Sequence, residues 1–158
     1  MKTHEYKSHL AWPAGADGAP FTYKTYTRRY TVKVEGKPDL AGSADPIFRG
    51  EQDRYNPEDL FVISLSSCHL LSYLAACALK GVEVVAYEDE ASGTMTTNAD
   101  GSGKFDEVTL RPVVTIGPDA DEALALSLHD LAHRQCFIAS SVAIPVHHQA
   151  TIHVAARK

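Results

Sequence analysis

Cysteine, arginine and histidine are the residues in this chain that could carry chemistry. Cys68 stands in the middle of an apolar run, Cys77 follows it on the same run, and Cys136 lies far downstream in His133-Arg134-Gln135-Cys136-Phe137. A thiol reacts as its thiolate, and burial alone raises a thiol's pKa. A cysteine among apolar neighbours is therefore usually a small inert hydrophobe unless a cation lies beside it. Arginine suits that role because its guanidinium stays charged when partly desolvated. Arg28, Arg49, Arg54 and Arg134 are the candidates. Cys136 opens a short helical turn, Cys136 to Val142, whose free amides suit either a thiolate or a disulfide partner. Cys77 falls about 180° round a helix from Cys68, faces away from it, and reads as structural.

Eight histidines raise the question of a metal. His129 and His133 have the i, i+4 spacing of one helix face, whereas His147 and His148 alternate across a strand. Asp130 rather than a glutamate follows His129, so the helical pair departs from His-Glu-x-x-His. The histidines read as structural or surface residues, and no metal or other cofactor is expected.

The element that must position Cys68 is a helix from Pro57 to Lys80. Asn56 is a good N-cap, and Pro57 suits the first helical position, where its missing N–H costs nothing. Glu58 and Asp59 in the first turn and Lys80 in the last complement the helix dipole. Gly81 supplies a left-handed stop. The helix is apolar on almost every face, so a sheet or a second subunit must cover it. Ser64, Ser66, Ser67, His69, Ser72 and Lys80 interrupt the run, and no second comparable segment exists, which argues against a membrane span.

The 158 residues, 44% of them hydrophobic, suffice for one globular domain over 1–158 with a sizeable core. A net charge of −5 with no basic stripe argues against nucleic acid as a partner. The first ten residues lack the apolar centre of a signal peptide, and three irregularly spaced cysteines are not a disulfide scaffold, so a cytoplasmic setting is expected.

Along the chain, residues 3–11 suit an edge strand and residues 13–20 a turn. Tyr23 to Glu35 alternates, with Tyr26, Tyr30, Val32 and Val34 on one side. Arg28 shares their parity, a conflict between pattern and residue of the kind that marks functional sites. Residues 36–55 read as a long loop. After the central helix, strands are expected over Val82–Glu90, continuing through Ala91–Thr97. A turn at Asn98–Gly103 leads to a hairpin partner over Lys104–Ile116. A second helix opens at Gly117-Pro118-Asp119 and runs to Arg134, burying Leu124, Leu128 and Leu131. Val146–Ala155 closes the chain as a strand. The order predicts an α+β fold of largely antiparallel sheets around a long buried helix.

Asn56-Pro57-Glu58-Asp59-Leu60, followed ten residues after the glutamate by Cys68 in Leu65-Ser66-Ser67-Cys68-His69, resembles the family of osmotically inducible protein C and the organic hydroperoxide resistance proteins. A second cysteine after a late helix and before the last strand, here Cys136, belongs to the same pattern, and the resemblance covers nearly the whole chain. Family members often carry Cys-Pro at this second site, where this chain has Cys136-Phe137. The resemblance implies thiol-dependent reduction of organic hydroperoxides, with Cys68 as the peroxidatic thiolate and Cys136 as its disulfide partner. It also implies an arginine that stabilises the thiolate and a glutamate that orients it. Glu58 matches the glutamate; Arg49, in the preceding loop, is the first choice for the arginine and Arg28 the second.

Glu58 and Cys68 lie about 15 Å apart along a straight helix. If both serve one site, the helix is broken between them or Glu58 comes from a second subunit. An intertwined homodimer is therefore expected. Phe48, Phe61, Leu65 and Phe137 are expected to line an apolar site favouring bulky peroxides. The reductant would be a thiol: a lipoylated protein, a thioredoxin-like protein and a small dithiol all fit. A non-catalytic dimer binding a small molecule or lipid is the alternative, although it has no need of paired cysteines.

Overall fold

The computed structural model describes residues 1–13, 18 and 20–157; within the expected turn at 13–20, Ala14 to Asp17 and Ala19 lie outside the described residues. Contacts divide the chain into two compact units, residues 1–60 and 61–158.

The first unit carries a three-stranded antiparallel sheet of β1 (His9–Ala11), β2 (Tyr30–Lys33) and β3 (Leu40–Gly42) in that order. Gly42 lies opposite Tyr30, and a Cβ there would stand 2.2 Å from the tyrosine ring, so any larger residue would displace that ring. The strand expected over 23–35 shortens to β2, because Thr22 to Tyr26 close into turns instead. The loop expected over 36–55 contains β3 and a 3-10 turn, Pro46–Phe48. Asp45 caps that turn, its carboxylate accepting from Ile47 N–H, and Glu51 joins Arg29 and Arg54 in ion pairs of 2.7 and 3.1 Å.

Helix α1 (Pro57–Lys80) has the bounds that its punctuation predicts. Asn56 Oδ1 accepts from Asp59 N–H at 2.7 Å, while Asp59 accepts back from Asn56 N–H at 3.4 Å, a reciprocal capping box. At the other end Gly81 takes φ 73°, and the Val82 N–H reaches Cys77 C=O, closing a Schellman motif.

In the second unit each long expected strand is bent into two. The first becomes β4 (Val84–Asp89) and β5 (Ser92–Thr97), the second β6 (Gly103–Leu110) and β7 (Pro112–Ile116), and the third β8 (Val146–His148) and β9 (Thr151–Val154). The halves sort into two mixed sheets, β4-β7-β9 and β5-β6-β8. Arg111 marks the corner: its N–H donates to Asp89 and its guanidinium to Glu90 C=O and Ser92 Oγ, pinning one bent strand to another. The last strand pairs parallel with its neighbours in both sheets.

One stripe of α1 is buried within the chain: Leu65, His69, Tyr73, Ala76 and Cys77. Leu65 packs with Val108 and Leu110, whereas Tyr73, Ala76 and Cys77 join Val114, Ile116 and helix α2 (Glu122–Gln135). Ile63, Leu71 and Leu79 remain 46%, 66% and 86% exposed, so the chain alone covers far less of α1 than its composition demands. Helix α2 begins at an Asp121 cap rather than at Gly117, and its fully buried residues are Ala125, Leu128, His129 and Ala132, with Leu124 and Leu131 at the margin.

The seam between the two helices is polar. Tyr73 Oη donates to Ala125 C=O at 3.1 Å, and one turn away His69 Nε2 meets His129 Nδ1 at 3.0 Å. Both histidines are 1% exposed. Burial, then the nearby His148 and His133, push His69 down to about 4; burial, then His69 and His148, push His129 down to about 3. Both are neutral in the folded protein at neutral pH.

Two outcomes are expected. Leu65→Ala empties a fully buried site and should cost ~2–5 kcal/mol in urea unfolding. Because both histidines have lowered pKa values when folded, the unfolded chain takes up their protons first as pH falls. Stability should therefore decline from pH 6.5 toward 4.5, by up to ~1.4 kcal/mol per pH unit for each histidine. Denaturant titrations across that window should lose much of this slope in His129→Asn, and a flat wild-type profile would contradict the assignment.

Candidate functional site

Cys68 sits midway along α1, half-buried, and Cys136 immediately follows α2 with only 1% of its surface exposed. The two thiols are near enough for Cys68 to raise the pKa of Cys136. Cys136 holds its place through the backbone. Its N–H donates to His133 C=O at 3.3 Å, and its sulfur accepts from the Ala139 N–H at 3.4 Å. That second bond comes from the 3-10 turn Ala139–Ser141, the free amides of which the sequence predicts beside this residue. Burial, followed by the Cys68 thiol, raises Cys136 to about 11, so it is protonated at neutral pH. Cys77, nearly fully buried in the core, has its pKa raised by burial and takes no part in this pair.

A second constellation lies in the first unit. A cavity of about 260 Å³ is lined by Trp12, Tyr26, Arg28, Tyr30, Phe48 and Glu58, among others. Arg28 is held rigidly: Nη1 donates to Tyr26 C=O and Nη2 to Tyr23 C=O, each at 2.6 Å, and the guanidinium stacks on the Tyr26 ring at 3.7 Å. Its Nε is buried without a partner, and so is Oε2 of Glu58. Among the described residues the two do not pair with each other. Burial, and then the Glu58 carboxylate, raise the Tyr30 pKa. Two residues of the cavity lining thus each carry a buried polar atom without a partner, one a donor and one an acceptor. Such a pair suits a small ligand that can both accept and donate a hydrogen bond.

Arg49 shares the Tyr23 ring with Arg28, their guanidiniums 5.9 and 5.4 Å from its centroid. It ends the 3-10 turn in a left-handed conformation, φ 69°, exposed to solvent, and is absent from the cavity lining. Among the apolar candidates, Phe48 lines the cavity, but Leu65 belongs to the closed core and Phe61 packs on Phe105 with ring centroids 4.7 Å apart. Phe137 is 81% exposed. Sequence reasoning missed Trp12, Tyr26 and Tyr30 as cavity walls, and the shared parity of Tyr26, Arg28 and Tyr30 was their only signal. Of the histidines, His129 pairs with His69, whereas His133 packs against the His148 ring at 5.6 Å. Among the described residues no group of three or more His, Cys, Asp or Glu is arranged to hold a metal ion.

No curated protein matches the chain. Solved structures do. An OsmC-like protein of unknown function from Vibrio cholerae shares 29% identity and superposes with a TM-score of 0.81, over 94% of this chain and 100% of that one. An OsmC-like protein from Mycoplasma pneumoniae has 13% identity and a TM-score of 0.74, over 96% and 99% of the two chains. An organic hydroperoxide resistance protein from Elizabethkingia anophelis, at 19% identity, covers 98% and 100% with a TM-score of 0.68. The family model described as OsmC-like protein matches residues 50–150, which include α1, strands β4 to β8, α2 and both cysteines of the pair. With that match extending over well over half of its length, the chain belongs to the OsmC-like protein family.

Proposed function

We propose that this protein is a thiol-dependent peroxidase that reduces organic hydroperoxides, and the observation that carries the reading is the proximity of the free thiols of Cys68 and Cys136. Cys68, the more accessible of the two, is the attacking group. Its thiolate attacks the distal oxygen of the peroxide, the O–O bond breaks, and the alkoxide leaves as an alcohol after taking a proton. Cys68 is left as a sulfenic acid. The Cys136 sulfur then attacks the Cys68 sulfur, forming the disulfide and releasing water, which carries away the thiol proton of Cys136. A dithiol, whether small or carried on a lipoylated or thioredoxin-like protein, returns the pair to its reduced state. A cytoplasmic setting accords with a cycle that needs such a reductant. The Elizabethkingia protein, with the same fold, is described as conferring organic hydroperoxide resistance, which supports the substrate class.

Arg28 and Glu58 are assigned to the same reaction. Arg28 rather than Arg49 is the arginine, because it shares a cavity with Glu58 and keeps a buried donor free. The free Arg28 Nε–H stabilises the thiolate and the departing oxygen, while the free Glu58 oxygen accepts from the peroxide O–H. Trp12, Tyr26 and Phe48 provide an apolar bed that favours a bulky organic group over hydrogen peroxide.

α1 runs unbroken from Pro57 to Lys80, so Glu58 stays about 15 Å along the axis from Cys68 of its own chain. A single site therefore takes its glutamate from one subunit and its cysteines from another. A homodimer meets that need, and a second copy would cover the exposed apolar residues of α1 as well.

Cys68→Ser should abolish turnover of cumene hydroperoxide. Cys136→Ser should still react once and accumulate a Cys68 sulfenic acid that dimedone traps, readable by intact mass. Arg28→Ala should lower kcat/KM about 10²–10³-fold, whereas Arg49→Ala should change it only a few-fold. Wild-type protein that loses no hydrogens on exposure to the peroxide would overturn the enzyme reading in favour of a binding protein. A fully active monomer, by light scattering, would overturn the shared site.

A further inference from the structure

The polar seam between α1 and α2 leads to the cysteine pair. Its first rung joins Tyr73 to Ala125 and its second joins His69 to His129, four residues back on α1 and four forward on α2, as antiparallel helices require. Beyond it lie the neighbouring thiols of Cys68 and Cys136. His69 adjoins Cys68 in the chain, and the carbonyl of His133, one turn beyond His129, receives the N–H of Cys136. The histidine bond is thus the last side-chain hydrogen bond across the seam before the thiols, and it ties together the two helices that present them.

Apolar packing alone allows two helices to slide or roll by fractions of an ångström, since it is not directional. A 3.0 Å hydrogen bond between flat, buried rings fixes both separation and rotation. The surroundings reinforce it: the Tyr73 ring stacks on His129 with centroids 3.9 Å apart, and the His148 ring lies 5.5 Å from His69. The groups facing the pair are Tyr73 of α1, His133 of α2, Asp89 of β4 and His148 of β8, itself 3.3 Å from Asp130. Burial first, then His148 and the other histidines, keep both rings uncharged down to about pH 4 against the opposing pull of Asp89 on His69, so the bond persists throughout the range in which thiols react.

We propose that His69 and His129 are positioning residues for disulfide closure, holding Cys136 in register with Cys68 while taking no part in the attack on peroxide. The assignment rests on the thiol-peroxidase reading for its role in turnover, but the positioning itself can be measured without a peroxide. Two properties separate it from a general contribution to folding. It acts on the step that joins the sulfurs, not on the step that oxidises Cys68. It also depends on where the polar atom sits, because asparagine places its amide close to the position of Nδ1 in histidine, whereas glutamine carries it one bond further out.

The experiment compares wild type with His129→Leu, His129→Asn and His129→Gln, all checked for native circular dichroism. Rapid-quench intact mass with cumene hydroperoxide separates sulfenic acid formation from disulfide closure. Equilibration with a reduced and oxidised glutathione buffer gives the effective concentration of the two thiols: Cys68 and Cys136 lose two electrons and two protons as one oxidised glutathione becomes two reduced ones. The expected result is unchanged sulfenic acid formation in every variant. Closure and effective concentration should both fall about tenfold in His129→Leu and His129→Gln and recover in His129→Asn. If His129→Leu does not fold, the asparagine and glutamine variants decide the matter alone. Equal closure in all variants would overturn the proposal, as would equal slowing of both steps. Wild type that never forms sulfenic acid would overturn the peroxidase reading alone, and the glutathione equilibrium would still test the positioning role.

Discussion

The stripe Leu65–His69–Tyr73–Ala76–Cys77 is the part of α1 on which the second unit is built. Each residue is one helical turn or less from the next, so a single line of contacts meets first the β6 core and then α2 and the β7 core. The stripe is not uniformly apolar. Tyr73 and His69 must find hydrogen-bond partners once buried, and both find them on α2. Packing brings the helices together, and the polar pair fixes their relative setting. The position of Cys136 follows from that setting.

How much of this could be read from the chain depends on whether a feature is local. The bounds of α1 were legible to the residue because the capping residues, the proline and the glycine all act within a turn of the helix end. The bending of three long strands was not legible. Their hydrophobic alternation continues through the corners at Glu90-Ala91, Arg111 and Gln149-Ala150, and the corner at Arg111 is fixed by Asp89, Glu90 and Ser92 from another strand. The parallel pairing of the last strand was hidden for the same reason, since it depends on partners from β6 and β7.

The cysteines and the glutamate were legible from type and spacing, whereas their surroundings were not. Arg28 drew notice because a cation stood among aromatic residues of one parity, although the strand that gave the parity its meaning begins only at Tyr30. What fixes Arg28 is a pair of backbone carbonyls in an irregular segment, which no side-chain pattern announces. His69 passed as an interruption of an apolar helix. Its partner lies sixty residues away, and nothing in either helix marks the two as a pair.

That pair has a property beyond its geometry. A neutral imidazole carries one proton, so the His69–His129 bond can run in either direction. In one arrangement His69 donates, leaving its Nδ1 bare and the outer nitrogen of His129 protonated. In the other His129 donates, and the outer nitrogens exchange roles. Both outer nitrogens are buried without partners, so each arrangement makes one hydrogen bond and leaves one donor and one acceptor unmet. The core of this protein therefore encloses a two-state electric dipole, and the field of the surrounding charges selects its direction.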